Sequence, residues 1–281
     1  LASIGGFLLA KRSLMPIQQI RHTAEEIGSS GNLSKRIESS GNTNDELYQL
    51  TLTFNHMFDR LEANFEAEKQ FTSDASHELR TPISVILAQC EYAFENAVDT
   101  HELYQAISSI QRQGQRMSKL IDSLLEFTRM EQSTQAAQWH NIDLSLLVKN
   151  ICHEQRQLRI KGISLTESIQ PSIEIVADPE LLSRLLTNLI QNAYSYGREN
   201  GHIQVFLRSD SSNIILSVAD DGIGISENEL DKIFNRFYRV DKSRSITVGA
   251  GLGLSMVKQI VQIYNGKISV DSSPGIGSTF T

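Results

Sequence analysis

The chain has 281 residues, long enough for two or three domains, and its 40% hydrophobic and 21% charged residues are those of an ordinary globular protein. A formal net charge of -7, a pI near 5.5 and the absence of any long basic run exclude a nucleic-acid surface, because phosphate binding needs clustered Lys and Arg. Cys90 and Cys152 lie in no C-x-x-C or metal-like spacing, so the expectation is two reduced thiols in a cytoplasmic setting, without a disulfide framework or structural zinc.

The first stretch is "LASIGGFLLA", followed by Lys11 and Arg12. Its length is about half that of a membrane helix, and its charge follows the apolar run, whereas a signal peptide places charge before it. Residues 1–10 therefore read as the end of a transmembrane helix with its positive flank on the cytoplasmic side. A short buried helix or a disordered end is the alternative.

Two helical patterns then flank the polar segment "GSSGNLSKRIESSGNTNDE". Ile17, Ile20, Ala24 and Ile27 recur at spacings of three and four before it; Leu47, Leu50, Phe54, Met57 or Phe58, and Leu61 do so after it. Pro16 suits a helix start, and Asp45 and Glu46 suit the first turn of the second helix, where the macrodipole favours acids. Neither stripe can be covered within the pair. Residues 11–63 thus predict a helical linker that dimerises into a parallel bundle, with a plain helical spacer as the alternative.

"FTSDASHELRTPISVILAQC" sets His77, Glu78 and Arg80 one or two turns ahead of the apolar Val85, Ile86 and Leu87, with Pro82 expected to remove a backbone hydrogen bond and bend the helix. A second apolar series, Leu103, Ile107, Ile110, Met117, Ile121, Leu124 and Thr128, has the alternating steps of a coiled-coil seam and is interrupted by Gly114. With the helix that precedes it, this series makes a hairpin turning near "ENAVDT". Two such hairpins would form a four-helix bundle over residues 64–131.

Residues 132–140, within "EQSTQAAQWHN", are a polar linker, and from residue 141 the texture changes. Strands are expected at "SIEIVA", "HIQVFLRS", "NIILSVAD" and "KISVDS". Helices are expected at residues 145–161, 179–195, 227–234 and 252–264. Residues 141–281 read as a separate α/β domain.

Four motifs crowd into that domain. "NLIQNAYSYG" puts Asn188 and Asn192 on one helix face, where two amide oxygens can converge on a hard cation; alone, such a pair is as readily surface decoration. "VADDGIGIS" carries Asp220, Gly222 and Gly224, either a site where backbone approaches a ligand closely or an Asp-Gly turn. "GAGLGLSMV" opens a helix on Gly249, Gly251 and Gly253, a cradle for phosphate. "PGIGSTF" brings Gly275, Gly277 and Thr279. Neither the Rossmann nor the P-loop spacing occurs.

In this order and spacing the four motifs resemble the nucleotide domain shared by sensor histidine kinases, gyrase and the heat-shock chaperone ATPases. "SHELRTP" resembles the phosphoacceptor box of the kinases, and residues 11–63, with Pro16 and the Asp45-Glu46 pair, resemble a HAMP linker. The resemblance covers essentially the whole chain. It implies all-α HAMP and four-helix-bundle dimerisation regions followed by an α/β-sandwich ATP-binding domain of the Bergerat type.

By that resemblance Asn192 is the Mg²⁺ ligand with Asn188 as its neighbour, Asp220 receives the adenine amino group, and Tyr196, Gly222, Gly224 and Thr279 belong to the ATP site. Gly249, Gly251 and Gly253 are hinge and cradle of an ATP lid, Phe234 and Phe237 its anchors, and Arg239 reaches the γ-phosphate. The kinase pattern places Lys where this chain has Ser195, which puts one phosphate-side cation in doubt unless Arg198 supplies it. His77 is implied as phosphoacceptor, Glu78 as acceptor of its proton, and Glu78 with Thr81 match an E-x-x-T phosphatase pattern. Thr at position 81 also removes the zinc motif H-E-x-x-H. The implied partners are a second copy of the chain, a response regulator receiver domain and, through the N-terminal helix, the inner membrane of a bacterium, with this portion cytoplasmic.

Overall fold

The computed structural model describes residues 17–18, 21–23, 25–26, 32–37, 46–96, 100–133, 138–158, 160–210, 213–240 and 250–281, leaving aside the side chains at 46–47, 96 and 131–133. Two compact units are present, residues 1–76 and 77–281. Pro16, Ile20, Ala24, Ile27 and Asp45, on which part of the linker pattern rests, lie outside the described residues.

In the first unit a short extended piece, Asn32 to Ile37, lies on helix α1 (Glu46–Asn96). Asn55 brackets the Ile37 backbone, accepting from its N–H at 2.9 Å and donating to its carbonyl at 3.0 Å. This satisfies both polar groups of a residue whose side chain is buried against Phe58, with Leu33 and Phe54 alongside. Arg36 pairs with Asp59 and Glu62 at the rim. Of the two candidates Met57 and Phe58, then, Phe58 is the one packed inward. Leu50, Met57 and Leu61 stay exposed as a separate stripe.

In the second unit α1, ending at Asn96, is followed by α2 (Thr100–Ser133), the helical hairpin expected from the apolar seam. Pro82 is accommodated inside the continuous α1, buried. Ala106, Leu120, Phe127 and Met130 are buried within the single chain, whereas Leu103, Ile107 and Ile121 of the seam, with Ile83 and Leu87 of α1, remain exposed.

The α/β part starts with a ribbon of β1 (His140–Asp143) and β3 (Glu174–Ala177), antiparallel. A five-stranded sheet follows, in the order β2 (Ser164–Ile169), β4 (His202–Ser209), β5 (Ile214–Asp220), β7 (Gly277–Phe280), β6 (Val270–Ser273). Only β2 and β4 are parallel. Helices α3 (Leu144–Gln157), α4 (Pro179–Tyr196) and α5 (Gly253–Ile263) pack together, with α3 and α4 reaching the sheet. Ile203, Val205 and Leu207 alternate inward along β4, as a strand with one covered face requires. Burial pushes the Cys152 thiol of α3 up to about 12, so it is an inert core group.

Three differences from the sequence reading have physical causes. The helix expected to reach residue 161 stops at Gln157, and Lys161 takes a left-handed φ of 54° that no continuing helix allows. Strands β1 and β2 carry few apolar residues; in β2 only Leu165 is buried, so no alternation announces it. Residues 227–234 form a short 3-10 turn at Glu227–Glu229 followed by further turns, not an α-helix.

Candidate active site

Helix α4 positions the first half of the site. Its N-terminus is fixed by Asp178, whose carboxylate accepts from the Glu180 and Leu181 N–H groups at 2.9 and 3.3 Å, with Pro179 at the first helical position. Leu181, Leu185, Leu186, Leu189, Ile190 and Ala193 face the core. The opposite face, with Asn188, Gln191, Asn192, Ser195 and Tyr196, therefore lines a cavity of about 230 Å³.

Asn188 donates its amide N–H to the Arg184 carbonyl at 2.9 Å, which leaves its Oδ1 to accept from elsewhere. A Cβ at residue 253 would lie 2.9 Å from that Oδ1, so glycine there preserves room beside it. Two amide oxygens one helical turn apart fit a hard cation that completes its shell with phosphate oxygens and water.

Across the cavity β5 ends at Asp220, whose Oδ1 accepts from the Gly222 N–H at 2.8 Å. Burial raises its proton affinity above the ordinary carboxylate range, against the opposing pull of the Gly222 and Ser278 backbone N–H groups. Gly222 lies beneath the wall, where a Cβ would fall 2.5 Å from the Tyr196 carbonyl oxygen. Gly224, Arg239, Gly251 and Gly253 also line the cavity. Gly251, at φ 75°, accepts from the Phe237 N–H at 2.9 Å and holds Phe237 itself in a left-handed conformation. Two positions further on, the Nε of Arg239 is buried with no hydrogen-bond partner among the described residues. A buried guanidinium nitrogen in that state fits an incoming anion.

Not every singled-out residue reaches the cavity. Thr279 does not line it; Ser278 does, because β7 pairs Ser278, not Thr279, with Asp220, and alternation sends the next side chain to the other face. Gly249 lies outside the described residues. Arg198 is not in the wall either, and its guanidinium donates to the Gly275 carbonyl. The cation next to position 195 is Lys161, whose Nζ donates to the Ser195 carbonyl at 2.8 Å.

Two lining residues come from the hairpin. Ser123 and Glu126 of α2 complete the cavity wall; Glu126 stands 3.6 Å from Arg184, and the Arg236 guanidinium lies over the Phe127 ring at 4.5 Å. No local pattern in the sequence marks these positions, since the contact joins segments far apart in the chain.

His77 is exposed on α1 with Glu78 half-buried beside it. The Glu78 carboxylate reaches across to Arg116 of α2, 3.7 Å away. Thr81, one turn on, is exposed and donates its hydroxyl to the His77 carbonyl at 3.2 Å.

A mixed sheet backed by helices, following a helical hairpin and with a cavity that joins apolar and polar side chains, defines an α/β sandwich joined to a helical module. Comparison with known proteins makes the class specific. The HAMP domain family matches residues 8–63, the His Kinase A (phospho-acceptor) domain residues 67–133, and the histidine kinase-, DNA gyrase B-, and HSP90-like ATPase family residues 177–281. The sensor histidine kinase YkoH of Bacillus subtilis is 34% identical over 98% of this chain and 60% of its own length. The signal transduction histidine-protein kinase ArlS of Staphylococcus aureus is 34% identical over 85% of this chain and 54% of its own. The crystal structure of histidine kinase ThkA in complex with response regulator protein TrrA shares the fold, with a TM-score of 0.60 and 20% identity over 93% of this chain and 81% of that one. The chain belongs to the sensor histidine kinase family, and it spans about half to three fifths of the length of the curated relatives it matches.

Proposed function

We propose that this chain is the kinase portion of a membrane-associated sensor histidine kinase that binds Mg-ATP in the α4–β5–α5 cavity, phosphorylates its own His77 and passes the phosphoryl group to an Asp of a response regulator. The observation that carries the reading is the pairing, in one chain, of an exposed His77-Glu78 with a cavity whose walls hold Asp220, the Asn188-Asn192 pair and an unpartnered Arg239 nitrogen. The matched ATPase and phospho-acceptor families support it from outside. So does the relation to kinases described as sensors and, for ThkA, captured with a response regulator.

The chemistry follows from positioning and charge. Asp220 accepts a hydrogen bond from the exocyclic amine of adenine and Arg239 pairs with the terminal phosphate, while Asn188 and Asn192 would hold a Mg²⁺ ion that would offset phosphate charge. One ring nitrogen of His77 bonds to the γ-phosphorus as the bond to the bridging oxygen breaks, its electrons leaving on ADP. The proton on the other ring nitrogen passes to Glu78.

Incubation with labelled ATP and Mg²⁺ tests this directly. The expected product is a phosphoramidate, stable in base and lost in acid, that is absent from His77→Gln while nucleotide affinity stays within about twofold, since the substitution removes no cavity group. A labelled His77→Gln protein would overturn the assignment. The exposed seam on α1 and α2 supports a homodimer, and residues 8–63, matched by the HAMP family, support a membrane-linked input. Among the described residues no helix is long and apolar enough to cross a membrane.

A further inference from the structure

Glu78 has a neighbour that neither the motif nor the matched families assign. Residues adjacent in a helix point about 100° apart, so the Glu78 carboxylate does not face the His77 ring by default. What fixes its direction is the hairpin. The return of the chain as α2 brings the Arg116 guanidinium to 3.7 Å from the Glu78 carboxylate. Both side chains are about one-third exposed, 34% for Arg116 and 38% for Glu78, so the pair sits on the hairpin surface at the level of the phosphoacceptor. Among the described residues Glu78 is the one acid with which Arg116 forms an ion pair, and Arg116 the one base paired with Glu78.

We infer that Arg116 is a positioning residue for phosphoryl transfer to His77, its guanidinium orienting the Glu78 carboxylate as the third member of a His77-Glu78-Arg116 relay. A base that is itself held by a third group is the general arrangement by which a nucleophile keeps its proton acceptor in reach. Here the orienting charge is positive because the base is a carboxylate, and it comes from the other helix of the hairpin. An exposed ion pair of this kind contributes little to folding. Its consequence is therefore kinetic. The inference rests on the reading of His77 as phosphoacceptor and Glu78 as proton acceptor.

The test is a double-mutant cycle on the full chain, with autophosphorylation measured under saturating and limiting ATP. Glu78→Gln should lower kcat by about a hundredfold, the scale of a lost general base. Arg116→Gln should lower kcat by about tenfold, the scale of a misplaced catalytic group, with the KM for ATP within about twofold and the melting temperature unchanged. Arg116→Lys should recover part of the loss. In the Glu78→Gln background, Arg116→Gln should cause no further loss, because a residue that acts through Glu78 has nothing left to orient. Additive losses, an unaltered or raised kcat in Arg116→Gln, or a fall in melting temperature that accounts for the loss would each overturn the assignment of Arg116. An undiminished rate in Glu78→Gln alone would instead overturn the reading of Glu78 on which it rests.

Discussion

Asp220 shows how a single side chain is held at a cost. Its carboxylate is desolvated at the end of β5, and the two backbone N–H groups that approach it do not fully offset that burial. The folded chain therefore binds a proton at Asp220 more tightly than the unfolded chain, and stability falls as pH rises from the ordinary carboxylate range through the raised value. Asp220→Asn should melt at a higher temperature than the parent at neutral pH and lose that advantage on acidification. The same substitution should weaken nucleotide binding by about ten- to a hundredfold, since a charge-assisted hydrogen bond is worth about 1.5–3 kcal/mol. Calorimetric titration and thermal melts on the same protein check both signs; unchanged nucleotide affinity would remove Asp220 from the site.

Thr81 is the other residue with a separable role. Its hydroxyl already donates to the His77 carbonyl, so only its lone pairs are left to hold a water for attack on a phospho-Asp. We expect Thr81→Ala to retain autophosphorylation while regulator dephosphorylation falls at least about tenfold, on the order of 1.4 kcal/mol in the barrier. Equal loss of both activities would instead show that Thr81 shapes the helix ahead of Pro82. At this scale the sequence was legible where chemistry is written locally: Asn188 and Asn192 share a helix face at any tertiary placement, and Asp220 sits at a strand end before glycines. Ser278 and Thr279 could not be told apart, because their facing is set by the pairing of β7 with β5, a long-range fact.

The elements divide the same way. The hairpin of α1 and α2 could be read because its seam repeats, and a repeat survives ignorance of the partner. Strands β1 and β2 could not, since they pair through backbone and bury little. The exposed seam itself makes a clean test of association. Ile107 is 55% exposed in the single chain, so Ile107→Asp removes only part of one residue's packing there. In a homodimer it would bury an unpaired charge. The expected result is a folded monomer by sedimentation with unchanged helix content, and a variant that stays dimeric would place the interface elsewhere.

At the scale of residues 77–281, the α/β part is tied to α2 by more than the chain. Phe127 is fully buried beneath the Arg236 guanidinium, and Glu126 faces Arg184. Phe127→Ala should reduce stability by about 3 kcal/mol, the low end for emptying an aromatic site, as measured by urea unfolding. A loss below about 1 kcal/mol would mean that the ring is not packed as described.

That same junction bears on inhibitor discovery. A compound selected against an excised α/β fragment would meet an open side where the full chain presents Ser123 and Glu126. Groups grown outward through that opening would collide with α2 in the intact protein, and potency won on the fragment would be lost there. Conversely, a basic substituent directed at Glu126 would find its counter-charge only in the longer protein. Screening with the hairpin present therefore opens a handle for selectivity that an excised α/β fragment does not offer.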